Sequence, residues 1–172
     1  MYSNPDDFNT LNPLHSSTAP DNPPSPEAQA RDLDLAWCAG MFDGDGCVSI
    51  SRVWTAGRKN RTYRLGAVLV QNCEFTTAHF HTILGQPHCL VAVRKTDRHR
   101  RQIYEVRYDG LHALAALRLM EPFLVRKRAE AVAAREFWAE CRMGVLPGVT
   151  GLQPEVWRRR EGYYWKLRQL KL

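Results

Sequence analysis

The stretch CAGMFDGDG at residues 38–46 places the tightest constraint on the fold. Upstream of it, residues 25–27 (Ser-Pro-Glu) form a helix-start pattern: a capping hydroxyl, a proline at the first helical position and an early acid. A helix that begins there carries Ala36, Gly40 and Gly44 on one face at four-residue spacing. Such small residues let another helix approach closely, so the sequence predicts a tight pair of helices.

The same helix ends at residues 43–46 in two acids and two glycines. The C-terminus of a helix is the negative end of its dipole, and carboxylates are disfavoured there unless a positive group lies nearby. One interpretation is a simple Asp-Gly turn between a helix and a strand. The other is a site for a divalent cation, because Mg²⁺ prefers one or two carboxylates together with carbonyl, water and phosphate oxygens.

Apolar and polar residues alternate in the segments that follow, with the two-residue period of a half-buried strand. Two hairpins with basic tips are predicted, from strands at 47–53 and 62–71 and from strands at 90–95 and 103–108. Helices are predicted at 76–84, at 111–120, from 129 to about 142 and at 154–172. The expected order is therefore helix, hairpin, helix, hairpin and further helices.

Positive charge is concentrated after residue 45. The formal net charge is +6, but residues 1–45 hold eight acids and one base, whereas the remainder holds 23 bases and ten acids. A body this basic favours a polyanion such as nucleic acid as its partner. A solvated basic surface without a partner is the alternative.

The first 24 residues contain five prolines and many polar side chains. Because they offer too little apolar surface to offset the entropy of ordering, we expect a disordered arm over 1–24 and a single domain over 25–172. No apolar run approaches the length of a membrane span, so no membrane partner is expected. Five cysteines, odd in number and without CxxC spacing, favour reduced thiols in an intracellular compartment, either bacterial cytoplasm or an organelle.

Residues 39–46, followed by the strand-like 47–50, resemble the signature of the LAGLIDADG homing endonucleases. Cys38 replaces the leading leucine, and Met41 and Phe42 replace the hydrophobic pair, while the small residues and both acids are intact. The resemblance implies an α+β fold with an αββαββα core, whose four-stranded antiparallel sheet forms a saddle over DNA, and extra C-terminal helices. It also implies a site-specific double-strand DNA endonuclease that depends on Mg²⁺ or Mn²⁺.

In this family the motif helix packs against its counterpart in the other half of the molecule. The sequence contains one copy of the motif. The resemblance therefore implies a homodimer that pairs along Ala36, Gly40 and Gly44 and binds a roughly palindromic DNA target.

The resemblance also assigns catalytic residues. Asp45, together with the Gly44 carbonyl, is expected to bind the metal ions. Gln71, at the end of a predicted strand, is expected to position water, and Lys127 to lie near the scissile phosphate. A further basic residue that some members carry soon after the glutamine has no counterpart, because Phe75 occupies that region.

DNA contacts are expected from the polar face of the sheet and from the basic loops. The expected base contacts are Ser49, Ser51, Thr62, Arg64, Arg94, Glu105 and Arg107. The expected phosphate contacts are Arg58, Lys59, Arg61, Arg98 and Arg100.

Two alternative functions stay open at this point: an RNA maturase that binds intron RNA, and a catalytically inactive, sequence-specific DNA-binding protein. The last helix, 154–172, also has two interpretations. It is either a surface helix packed on the body or a phosphate contact at one edge of the DNA site.

Overall fold

The computed structural model describes residues 24–54, 61–86, 90–94, 102–141 and 153–172. Within them the helices are α1 (Pro26–Asp45), α2 (Glu74–Leu84), α3 (Gly110–Met120), α4 (Arg128–Glu140) and α5 (Pro154–Gln169). The strands are β1 (Gly46–Val53), β2 (Thr62–Gln71), β3 (Leu90–Arg94) and β4 (Ile103–Asp109). The predicted order of helices and hairpins is confirmed. The expectations for the N-terminal arm before residue 24 and for the two hairpin tips, 55–60 and 97–100, lie outside the described residues.

Helix α1 begins as its sequence predicts, with the Ser25 hydroxyl accepting a hydrogen bond from the Ala28 N–H at 3.3 Å. The helix passes directly into β1 at Gly46, whose N–H donates to the Phe42 carbonyl oxygen. A Cβ at Gly46 would overlap the Phe42 ring and lie 2.5 Å from the Phe42 carbonyl oxygen, so only glycine fits. This junction, which has no connecting loop, places Asp45 at the start of the sheet.

The four strands form one antiparallel sheet in the order β1-β2-β4-β3. Its inner face packs against the helices and forms the core with buried side chains from three strands: Val48, Ile50, Tyr63, Leu65, Ala67, Leu69, Val106 and Tyr108. The opposite face, called here the outer face, carries Ser49, Ser51, Arg64 and Arg107. The predicted alternation is confirmed.

The C-terminal helices complete the domain. The Arg160 guanidinium of α5 is buried and donates two hydrogen bonds, at 3.0 and 2.9 Å, to the Cys141 carbonyl oxygen at the end of α4. Helix α5 also contacts β1, where Arg52 forms an ion pair with Glu161 at 2.7 Å. Helix α5 therefore lies beside β1, a terminal strand of the sheet. No helix in the described ranges is long and apolar enough to cross a bilayer.

Candidate active site

Two predicted catalytic residues meet where α1 joins β1. The Gln71 side-chain amide donates a hydrogen bond to the Asp45 carboxylate at 2.6 Å. The sheet register explains the contact, because Gly46 pairs with Leu69 and the end of β2 thus extends past the start of β1. Asp45 is exposed, and no lysine or arginine in the described part of the chain forms an ion pair with it.

Lys127 reaches the same end of α1 through Asp43. The Asp43 carboxylate accepts hydrogen bonds from the N–H groups of Val125, Arg126 and Lys127 at 2.7, 3.1 and 2.8 Å. The Lys127 ammonium in turn donates to the Asp43 carbonyl oxygen at 2.5 Å, and the Arg126 guanidinium to the same oxygen at 3.3 Å. These cations supply the positive charge that the dipole of α1 requires at its C-terminus.

The two motif acids therefore have different roles. Asp43 orders the segment before α4 and so positions Lys127, whereas the Asp45 carboxylate remains accessible to solvent. Although burial raises the pKa of Asp43, the backbone hydrogen bonds from Val125, Lys127 and Arg126 and the Lys127 charge hold it below its usual range. Sequence reasoning missed this role. Its one signal was the set of N–H groups at the start of α4 that lack helical acceptors.

We expect Asp43→Asn to lower the free energy of unfolding by about 1–3 kcal/mol at neutral pH, because one amide oxygen cannot replace two charged oxygens that accept three N–H groups. The folded-state pKa of Asp43 is lowered, so its stabilisation is present above the ordinary carboxyl pKa and is lost as pH falls through the lowered value. The difference between wild type and variant should therefore shrink in acid. Urea unfolding at several pH values measures it, and a pH-independent difference would contradict this role.

The Lys127 side chain is held in a buried setting beside a second carboxylate. Lys127 is 4% exposed, and its pKa is lowered by burial and by the neighbouring Arg126 charge, while Glu130 and Asp43 act in the opposite direction. Glu130 is also buried, its Oε2 has no hydrogen-bond partner among the described residues, and burial raises its pKa. Sequence reasoning missed Glu130. Its position three residues after Lys127, on the adjacent helical turn, was the available signal.

The oxygen donors at the α1–β1 junction fit part of a magnesium site. In the described segments no three His, Cys, Asp or Glu residues form a metal-binding group. Mg²⁺, however, is usually held by one or two carboxylates, and water and phosphate oxygens complete its shell. Asp45, which is exposed and forms no ion pair with a described cation, and the adjacent Gly44 carbonyl are donors of this kind. These two donors fit a metal site that is shared between chains better than a complete coordination shell within one chain.

The outer face holds several of the expected DNA contacts. Ser51 and Thr62 occupy opposite strands of the first hairpin, where their hydroxyls donate to the carbonyl oxygens of Arg64 and Val53 at 3.3 and 3.2 Å. The Arg64 guanidinium is largely exposed and lies 3.9 Å from the Asp109 carboxylate. Ser49 and Arg107 lie on the same face, and Arg61 is exposed just before β2.

Glu105 requires a correction. It lies on the outer face as expected, but its side chain is only 3% exposed and accepts a hydrogen bond from Arg107 Nε at 2.9 Å. It is therefore closed to a base edge and instead orients Arg107.

Arg94 ends β3, where its backbone pairs with Ile103. The other expected contacts, Arg58, Lys59, Arg98 and Arg100, lie outside the described residues.

The small-residue face of α1 is open in this chain. Gly40 and Gly44 are exposed, and a Cβ built at either position would have no described neighbour within 4 Å. Ala36 is half-buried, and Leu33, one turn before it, is 72% exposed. The other face of the helix is buried in the core through Leu35, Cys38, Ala39 and Phe42.

No protein-family model and no curated protein matches the sequence, but solved structures match the fold. The homing endonuclease I-CvuI, in complex with its target, has a TM-score of 0.64 at 24% identity, over 83% of this chain and 84% of that chain. The archaeal intron-encoded I-Vdi141I, complexed with DNA, has a TM-score of 0.63 at 12% identity, over 81% of this chain and 84% of that chain. The LAGLIDADG homing endonuclease I-GzeII has a TM-score of 0.56 at 9% identity, over 78% of this chain and 43% of that chain. The chain has the LAGLIDADG homing endonuclease fold.

This confirms the predicted α+β architecture. Asp45 is the last acid of α1, where Gln71 contacts its carboxylate and Lys127 contacts the Asp43 carbonyl oxygen two residues earlier. The match spans most of I-CvuI but less than half of I-GzeII. The chain therefore corresponds in length to about one half of I-GzeII.

Proposed function

We propose that this protein is a site-specific, double-strand DNA endonuclease of the homing type. The observation that carries the proposal is the convergence of Asp45, Gln71 and Lys127 on the C-terminus of the motif helix. The fold supports it, since I-CvuI and I-Vdi141I are homing endonucleases whose structures contain DNA. The basic composition after residue 45 provides charge for binding a polyanion.

The proposed reaction is metal-assisted hydrolysis of a phosphodiester. Asp45 and the Gly44 carbonyl would hold Mg²⁺ or Mn²⁺, which when bound would supply Lewis acidity toward the phosphate. Structures of I-CvuI with DNA were determined in the presence of 2 mM Ca or 2 mM Mg, which supports the choice of a divalent ion. Gln71 donates its amide N–H to Asp45, so its carbonyl oxygen is left to accept a hydrogen bond from the attacking water. Lys127 is nearly buried with its ammonium on the Asp43 carbonyl oxygen, but it lines a cleft at the start of β1, where its charge would stabilise negative charge that develops on a bound phosphate.

The active form in this proposal is a homodimer. One chain supplies one motif helix, and its face at Gly40 and Gly44 has room for a second helix at backbone contact distance. Two-fold pairing would bring two Asp45 carboxylates together, a repulsion that divalent cations relieve. A symmetric dimer would favour a roughly palindromic site. We propose that the protein acts in bacterial cytoplasm or in an organelle, because its described cysteines are free thiols, as intracellular compartments favour.

Incubation with a randomised duplex library and Mg²⁺, followed by sequencing of the cut ends, tests this function. We expect cuts at a narrow set of related sequences, with two-fold symmetry between the halves, and no cuts in EDTA. Uncut DNA in both Mg²⁺ and Mn²⁺ would refute the nuclease. Efficient cutting in EDTA would refute the metal-dependent mechanism.

A catalytically inactive DNA-binding protein is the second candidate. It is favoured by Phe75, which is 77% exposed on the first turn of α2, in the region where some family members have a basic residue. An aromatic ring cannot neutralise a phosphate. The same library separates the two functions, because an inactive binder would retain particular sequences without cutting them.

A further inference from the structure

Helix α5 and strand β1 lie side by side, and two polar clefts open along the line between them. The first cleft, of about 540 Å³, lies beside the middle and end of β1 and is lined by Ser49, Ser51, Trp54, Arg61, Tyr164 and Arg168 among others. The second, of about 400 Å³, lies at the start of β1 and is lined by Gly46, Cys47, Arg126, Lys127, Glu130 and Lys171 among others. The second cleft therefore reaches the candidate active site.

Six basic side chains line these clefts, and we call three of them the edge row: Arg61, Arg168 and Lys171. The Lys171 ammonium lies 3.1 Å from the thiol of Cys47, the second residue of β1. Arg168 lies in the cleft that Ser49 and Ser51 share, so its charge is beside the outer face. The edge row therefore extends from the active site toward the tip of the first hairpin.

The buried Glu130 carboxyl lines the same cleft as Lys171 and is influenced by its charge, but no member of the edge row forms an ion pair within the described part of the chain. Arg168 donates to the Tyr164 hydroxyl at 3.0 Å, and neither it nor Lys171 nor Arg61 forms an ion pair with a described carboxylate. Lys166, in the same last turn of α5, differs because it pairs with Glu136 of α4 at 2.8 Å. Stabilisation of the helix dipole would explain cations anywhere in this turn. It does not explain why Arg168, unlike Lys166, lies beside β1 without a described carboxylate partner.

We propose that the edge row binds phosphates of one strand of duplex DNA while the outer face contacts the bases. This rests on the proposed function and adds α5 to its DNA interface. From Cys47 to Val53, which pairs with Thr62 next to Arg61, the strand advances about 20 Å, since each residue rises about 3.3 Å. DNA rises about 3.4 Å per nucleotide along its axis, so a row parallel to that axis spans about six nucleotides. The rings of the exposed Trp54 and the half-buried Tyr164 also line the first cleft.

The salt dependence of DNA affinity tests the edge row. Each phosphate contact contributes about −0.9 to the slope of log K against log salt. Arg168→Gln removes two such contacts from a two-fold complex, so the slope should become shallower by about 1.8. Arg168→Gln with Lys171→Gln should make it shallower by about 3.6. The probe is a duplex longer than the complex, titrated in Ca²⁺ between about 50 and 200 mM KCl. Glutamine retains most of the alkyl stem, so packing is changed little.

Lys166→Gln is the matched control, because it removes the same charge from the same turn of α5 but on the side that faces α4. We expect the wild-type slope for it, and for Arg168→Lys, which restores the charge without the guanidinium plane. A wild-type slope for the double variant, or a loss as large in Lys166→Gln, would overturn the edge row. So would a loss of slope confined to duplex RNA. If wild type cleaves DNA and the double variant has an unchanged slope, the edge row is rejected and the proposed function stands. If wild type binds no DNA, both the edge row and the proposed function are rejected.

Discussion

Asp45→Asn is expected to reduce DNA cleavage by about 10³-fold or more while DNA binding persists. The amide oxygen of asparagine can still accept the hydrogen bond that Gln71 donates to Asp45 at 2.6 Å, so the local geometry is preserved. What disappears is the negative charge that holds a divalent cation. A loss of about 4 kcal/mol in transition-state stabilisation, the scale of Lewis-acid assistance, corresponds to about 10³-fold in rate.

Single-turnover cleavage and equilibrium binding should be measured on the same duplex, with Asp34→Asn as the control. Asp34 is an exposed acid of the same helix, so its replacement removes equal charge away from the junction. We expect wild-type cleavage from the control. Cleavage by Asp45→Asn at the control rate would exclude Asp45 as a metal ligand, and a parallel loss of binding would assign it a structural role instead.

The fold was largely predictable because its signals are local. A capped helix with four-residue spacing, followed by stretches with two-residue alternation, determines α1, β1 and β2. The strict period of two also fixed which side chains of β1, β2 and β4 face the core. The candidate catalytic residues needed the family resemblance in addition, since nothing periodic marks Gln71 or Lys127.

The parts that could not be predicted depend on contacts between residues far apart in the chain. Asp43 and Lys127 are separated by 84 positions, and only the folded chain shows that one acid of the motif orders the segment carrying the lysine. The predicted base contact by Glu105 was wrong for a related reason. Alternation placed it on the outer face correctly, but burial depends on neighbours from other segments, and a carboxylate enclosed there pairs with Arg107.

Gly40→Leu is expected to separate the two chains and, with them, to abolish double-strand cleavage. Each inserted side chain that overpacks a close interface costs about 1–3 kcal/mol, and a two-fold interface contains two of them. The dissociation constant should therefore rise by about 30-fold to 10⁴-fold. The fold of each chain should survive, because a Cβ at Gly40 has no described neighbour within 4 Å and leucine favours a helix by close to 1 kcal/mol over glycine.

Sedimentation of Gly40→Leu beside Gly162→Leu distinguishes loss of an interface from a general effect of leucine in a helix. Gly162 lies in α5 and is exposed, and a Cβ added there would also have no described neighbour within 4 Å, so it matches Gly40 in every local respect except the proposed partner. We expect Gly162→Leu to remain dimeric and Gly40→Leu to sediment as a folded monomer. If both remain dimeric, the helices meet elsewhere. The two Asp45 carboxylates would then lie apart, and a single oxygen cluster per chain would have to hold the metal without the shared charge that makes the site attractive to a divalent ion.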